Sequence, residues 1–189
     1  MKPEIFLEIL HVAERLKNNT RHCVTSEGRP ESVAEHCWRV ALGAFLLRDQ
    51  FPDLDMNKVI DMCLIHDLGE AFTGDKPCFE KTDADTEREV TLYREWVSAL
   101  PAEISARMLA LIEEMEARKT PEALLYKSLD QMEALIQHNE SPISSWLPLE
   151  YDLQQTYGHE CCRFDPWLTE LRQAILDDTL EKIRTEAPE

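Results

Sequence analysis

Two imidazoles and two carboxylates stand where a soluble helix has no ordinary use for them. His36 falls among Val33, Val40, Ala44 and Leu47, an apolar series at roughly helical spacing. Alone it reads more readily as a hydrogen-bonded core histidine than as a ligand. The run I-H-D-L-G-E at Ile65–Glu70 sets His66 beside Asp67, at the end of a segment rich in apolar residues (Val59, Ile60, Met62, Cys63, Leu64). Burying a carboxylate there is costly unless it is paired or binds a cation. Adjacent helical side chains diverge by about 100°, yet both reach one cation near a helix end. A helix-terminal charged cluster is the competing explanation. Asp130 lies among Tyr126, Leu129 and Met132, although aspartate is a poor helix-interior residue. Lys127, one helical turn earlier, offers a salt bridge as a second explanation.

Taken together, His36, His66, Asp67 and Asp130 form a mixed nitrogen and oxygen set that suits a borderline divalent cation: Mn, Co, Fe, Ni or Zn. Such a cation lowers the pKa of a bound water and polarises a phosphoryl oxygen. Glu70, one turn beyond His66, is placed to hydrogen-bond that water. T-G-D at Thr73–Asp75 brings another carboxylate toward the open side. Arg21 lies in a polar stretch before His36; a guanidinium is a natural fork for phosphate, though by itself Arg21 is an ordinary surface arginine.

The bulk charge sets limits on partners. With 37 acidic and 20 basic residues the formal charge is −17, a field that repels nucleic-acid polymers and anionic lipid. It also repels a small phosphate ester, so such a substrate requires local positive charge from a metal and a few placed Arg or Lys side chains. The six cysteines show no C-x-x-C spacing, which fits reduced thiols, with Cys161–Cys162 expected to pack simply. The N-terminus has no signal-peptide character and no stretch approaches membrane-spanning length. A cytoplasmic protein is expected.

The elements that must position these groups read as helices. One is expected from Pro3 to about Lys17, followed by a loop over Asn18–Pro30. Ser32 and Glu35 make a capping box for a helix to about Arg48. Asp55 caps a third helix expected to continue to Thr73–Gly74. A charged lead-in over Lys81–Glu89 precedes a helix that ends before Pro101, and Ala102–Arg118 forms the next. Thr120-Pro121-Glu122 opens a helix to about Glu140. Ser141–Gly158, with Pro142 and Pro148, is weakly helical, and Asp165-Pro166 starts a last helix to about Arg184. The expectation is an all-α bundle forming one unit over 1–189.

The order H…HD…D resembles the HD-domain phosphohydrolases, and among them the 5′-deoxynucleotidase-like branch. The matching segments are Arg21, R-P-E-S-V-A-E-H (Arg29–His36), L-I-H-D-L-G-E-A-F-T-G-D (Leu64–Asp75) and E-A-L-L-Y-K-S-L-D-Q-M-E (Glu122–Glu133). The resemblance covers about 15–140 and leaves 141–189 as a C-terminal helical extension. It implies a helical HD fold, a homodimer and one divalent cation held by His36, His66, Asp67 and Asp130. Glu70 would orient or activate the attacking water, Asp75 would contact the substrate or assist the leaving group, and Arg21 would clamp the phosphate. The implied reaction is hydrolysis of a 2′-deoxynucleoside 5′-monophosphate to nucleoside and phosphate. His22 departs from the pattern, because the best-known bacterial members carry there a tryptophan that helps select the deoxy sugar. Two-metal relatives need further histidines between the HD pair and the last aspartate; this chain has none, so a mononuclear site follows. Glu114, in L-I-E-E-M-E, has no assigned role. The alternatives are an HD hydrolase of another small phosphate ester, or a metal-stabilised nucleotide-binding protein without turnover.

Overall fold

The computed structural model describes residues 1–187. At its centre three helices pack on one another: α2 (Val33–Leu46), α3 (Met56–Ile65) and α7 (Pro121–Glu140). Each starts on a cap legible in the sequence. Ser32 Oγ accepts the Glu35 N–H at 3.3 Å while the Glu35 carboxylate accepts the Ser32 N–H at 2.9 Å, which completes the capping box. The Asp55 carboxylate accepts the Lys58 N–H at 3.1 Å, and the Thr120 hydroxyl accepts the Ala123 N–H at 3.2 Å with Pro121 in the first turn. Val33, Val40, Val59, Met62, Leu125 and Met132 bury fully between these helices, each contributing about 1.5–3 kcal/mol relative to exposure. Leu64 alone of the apolar α3 run turns outward and is half exposed.

The remaining helices surround this core. α5 (Asp83–Ser98) begins inside the charged segment, on a capping box between Thr82 and Asp85, and pairs with α6 (Ala102–Ala117). On the other side α8 (Glu150–Thr156), α9 (His159–Cys162) and α10 (Pro166–Glu186) form a connected group, with α9 and α10 packed on α7. Arg172 ties that group together: buried in α10, it donates to the Tyr157 and Gln154 carbonyls at 2.9 and 2.8 Å, at the free C-terminal end of α8. The Sγ atoms of Cys161 and Cys162 lie 3.8 Å apart as free thiols. Among the described residues no helix is long and apolar enough to cross a membrane.

Three sequence expectations are corrected. α1 (Pro3–Glu14) buries none of its side chains; a 3-10 turn at Arg15–Lys17 follows it and seats Leu16 in the core. The stretch expected as a loop forms a two-stranded antiparallel hairpin, β1 (Thr20–Val24) with β2 (Pro30–Ser32), so the fold is helical with one small sheet. Thr20 pairs with Ser32 and Val24 with Pro30, which leaves β1 two residues longer between those pairs, and the strand bulges. Gly28, at φ +78°, makes the turn.

The third correction concerns the HD pair. The helix expected to reach Gly74 stops at Ile65; His66–Gly69 forms a turn and α4 (Glu70–Thr73) is a separate short helix. Tyr93 Oη donates to the Ile65 carbonyl at 2.8 Å and satisfies an acceptor at the break. Gly69 permits the close approach of α5, because a Cβ there would lie 3.1 Å from Glu89 Cγ and 3.3 Å from Tyr93 Cβ. Gly74, at φ +76°, ends α4.

Candidate metal centre and adjoining cavity

The break after Ile65 turns His66 and Asp67 toward α2 and α7. His66 Nε2 lies 3.3 Å from His36 Nε2, 3.1 Å from Asp67 Oδ2 and 3.6 Å from Asp130 Oδ1. His36 Nε2 is in turn 3.1 Å from Asp130 Oδ1 and 3.7 Å from Asp67 Oδ2. His36, His66 and Asp67 thus bring three donor atoms together, and Asp130 Oδ1 stands within 3.6 Å of both imidazole nitrogens. Donors about 2.0–2.2 Å from a shared cation stand at about such separations from one another.

The imidazoles are prepared for that arrangement by their other ring nitrogens. His66 Nδ1 lies 2.9 Å from the Cys63 carbonyl, which can only accept, so that nitrogen carries the proton and Nε2 keeps its lone pair. His36 Nδ1 meets the buried Glu133 carboxylate with the same consequence. Charges agree with this geometry. Burial opposes ionisation of Asp67, but His66 beside it holds its carboxyl below the usual range; burial likewise opposes Asp130, and Lys127 and the imidazoles hold it well below. Against burial, neighbouring carboxylates draw His36 and His66 toward protonation. The cluster therefore stabilises positive charge, and its donor set fits a borderline divalent cation.

Lys127 Nζ pairs with Asp130 Oδ2 at 2.5 Å, so the salt bridge weighed from sequence exists beside the cluster contact through Oδ1 rather than in place of it. Arg21, carried by β1, donates to Glu31 at 2.9 Å and lies 3.4 Å from Glu133. Burial disfavours its charge, but Glu31 and Glu133 outweigh burial and raise its pKa. Glu31, His36 and Glu133 also bring three donor atoms close together. Arg21 occupies the charge of that set, and Glu133 orients His36.

Glu70 is 5% exposed and its Oε2 is buried without a hydrogen-bond partner. Burial, then Asp67 and Asp75, push its carboxyl up to about 10 in the absence of a cation. Asn19, just before β1, donates to the Glu70 carbonyl at 2.6 Å and ties the hairpin to α4. Asp75 follows α4 and shares one cavity of about 250 Å³ with Arg21, Asp67, Glu70 and Asp130. Burial raises its pKa, while Arg21 acts against that shift. Lys81 and Lys127 add positive charge to the same cavity, the local charge that a net −17 requires for an anionic ligand. His22 lines the far part, edge-on to Phe79 at 5.6 Å between ring centroids.

Every site residue read from the sequence except His36 and His66 borders this cavity, and those two lie directly behind Asp67 and Asp130. Sequence reasoning missed Glu133, Glu31 and Lys81. Glu133 had a signal: it follows Asp130 by one helical turn and so shares its face. Lys81 sat inside a charge run and had none. Glu114 lies elsewhere, 2.8 Å from Lys58 and hydrogen-bonded to Thr120, where it fastens α6 to α3 and to the start of α7.

The chain matches the HD domain family model over residues 13–171. It is similar to 5′-deoxynucleotidase HDDC2 of Dictyostelium discoideum, 31% identical over 145 residues that cover 71% of this chain and 76% of that protein. Among solved structures, a "predicted metal-dependent phosphohydrolase" from Magnetospirillum magnetotacticum MS-1 superposes with a TM-score of 0.78 at 25% identity, covering 95% of each chain. The Cyanophage S-2L HD phosphohydrolase, solved bound to dA and one catalytic Zn2+ ion, shares the fold with a TM-score of 0.60 at 23% identity, covering 91% of this chain and 96% of that one.

Proposed function

This chain belongs to the HD-domain family of phosphohydrolases, and from that membership we propose that it removes the 5′-phosphate from (deoxy)nucleoside 5′-monophosphates with a single divalent cation. The observation that carries this reading is the convergence of two imidazole nitrogens and two carboxylate oxygens beside a cavity lined by Arg21, Lys81 and Lys127. The 5′-deoxynucleotidase relative supports the substrate class.

His36, His66, Asp67 and Asp130 would hold the cation, one of Co, Mn, Fe, Ni or Zn. When bound it would polarise a phosphoryl oxygen and acidify the attacking water. Arg21 supplies guanidinium N–H groups to the phosphate oxygens, held in place by Glu31 and Glu133. With the cation bound, its positive charge would favour the Glu70 carboxylate over the neutral acid, and Glu70 would then orient the water and take its proton at Oε2, the acceptor left without a partner. Asp75 lines the cavity just past α4, where it would contact the substrate or assist the leaving group. Lys127 balances the second oxygen of Asp130.

In the same reading residues 1–189 form one HD unit, with 141–189 as its helical extension, of which 188–189 lie outside the described residues; packing of α9 and α10 against α7 supports this. A homodimer is supported by Trp38, Leu42, Phe45 and Leu46, which expose a continuous apolar face of α2. Six free thiols support a cytoplasmic setting.

The test is phosphate release by purified protein loaded with each candidate metal, across deoxy- and ribonucleoside monophosphates and sugar phosphates. Metal-dependent release from nucleotides, lost in folded Asp67→Ala, is expected. No release from any nucleotide, or full activity in Asp67→Ala, overturns the reading; release from sugar phosphates alone makes the chain a hydrolase of another small ester.

A further inference from the structure

The cavity does not end at the donor cluster. It follows α7 from Asp130 to His138, about 12 Å by helical rise, and reaches a second group of polar side chains. There Glu150, from the first turn of α8, sits between two imidazoles: its Oε1 is 3.0 Å from His22 Nε2 and its Oε2 is 3.4 Å from His138 Nε2. Neither nitrogen is aligned to hydrogen-bond the carboxylate, and both are buried without a partner. The side chains of Glu150 and His138 are each 6% exposed. Aromatic packing flanks the two imidazoles, with Trp146 stacked on His138 at 4.7 Å and Phe79 edge-on to His22. The phosphate-handling groups at the other end make no use of this cluster.

Buried polar groups left unpaired are unfavourable, and a ligand that pairs them gains that difference on binding. Glu150 Oε2 already accepts the Leu147 N–H, so the groups left for a ligand are Glu150 Oε1 and the two imidazole nitrogens; a carboxylate only accepts hydrogen bonds, so the ligand group that meets Glu150 must donate. Its negative charge also rejects a second phosphate at this end. We infer that His22, Glu150 and His138 form the specificity subsite for the phosphate-free end of the substrate, where Glu150 accepts a hydrogen bond from a hydroxyl or amino group. The inference rests on the proposed phosphomonoester reading for what occupies the other end. It gives the C-terminal segment a function: that segment contributes the selecting carboxylate.

Glu150→Gln tests it while keeping size and an oxygen for the Leu147 N–H, which Glu150 now accepts at 2.6 Å. The ratio of kcat/KM for dAMP to that for phenyl phosphate is expected to fall tenfold or more, mainly through KM. Equal losses on both substrates, or an unchanged ratio, overturn the subsite. Comparing wild-type turnover of dAMP, dTMP and 2′,3′-dideoxyAMP identifies the donor: loss on the dideoxy compound marks the sugar hydroxyl, loss on dTMP the base amino group. Calorimetry with deoxyadenosine, which has no phosphate, separates this inference from the hydrolysis reading. Binding by wild type that weakens at least tenfold in Glu150→Gln upholds the subsite whatever ester the enzyme cleaves. No nucleoside binding by wild type, or equal binding by the variant, overturns it even if nucleotides are hydrolysed. Should Glu150→Gln fail to fold, His22→Ala, on the more open side of the cluster, is read by the same ratio and the same calorimetry.

Discussion

His36 and Glu133 meet across the packed faces of α2 and α7, imidazole Nδ1 against carboxylate, with side chains 1% and 5% exposed. The contact fixes which nitrogen of His36 is free to face His66, Asp67 and Asp130. Glu133→Gln is expected to weaken metal binding about 10- to 100-fold, the usual consequence of losing an outer partner of a ligating histidine. Competitive metal titration of the folded variant measures this; an unchanged affinity would remove Glu133 from the site.

Metal removal should register as lost stability independently of turnover. A cation bound only by the native state stabilises it by mass action, about 2.7 kcal/mol at a hundredfold excess over Kd. The Tm of wild type is expected to fall on chelation and recover with Mn, Co or Zn. In Asp67→Ala the Tm should no longer respond to metal. A chelator-sensitive melt in that variant would mean the cation sits elsewhere.

Arg21 separates two carboxylates that are almost fully buried, Glu31 and Glu133. Arg21→Met leaves them facing one another, and loss of one partner from a buried ionic group typically costs about 3–5 kcal/mol. Adding Glu31→Gln removes one of the unpaired charges and should restore part of the loss. Urea denaturation of the single and double variants decides it; simple additivity would show that Arg21 does not couple to Glu31.

Gly69 lies where the HD turn touches α5. Gly69→Ala forces a methyl group against the buried Tyr93, whose hydroxyl holds the Ile65 carbonyl at the helix break. Overpacking of this kind costs about 1–3 kcal/mol and should also lower kcat, because Asp67 and Glu70 flank the glycine. Equilibrium unfolding together with phosphate release would expose a neutral substitution.

The caps at Ser32, Asp55, Thr120 and Asp165 were legible because a helix start depends on a few neighbouring residues and their own backbone. The donor residues were legible for a related reason: His36, the His66–Asp67 pair and Asp130 are poor choices for apolar helical surroundings unless something compensates them. Other features had weak local signals. The β1–β2 hairpin reads as a polar loop because its strands are short and its pairing is bulged. The break after Ile65 was hidden because no proline or glycine stands between Asp55 and Gly69 and the apolar residues Leu64, Ile65 and Leu68 keep helical spacing across it. Its cause lies in α5, which presses on Gly69 and satisfies the freed carbonyl through Tyr93.

By itself the sequence determined helical content, most helix starts, the residue types of a candidate cation-binding set and the need for local positive charge if an anionic ligand is to bind within a field of −17. Each of these follows from short-range stereochemistry, periodicity or composition. Tertiary structure alone decided that the four donors converge, that Glu133 and Cys63 orient the imidazoles, and that Lys81 joins Arg21 and Lys127 in one cavity. It also decided that Glu150, far along the chain, closes that cavity beside His22. Such relationships arise when helices distant in sequence pack against one another, and no local pattern encodes the distance between their side chains.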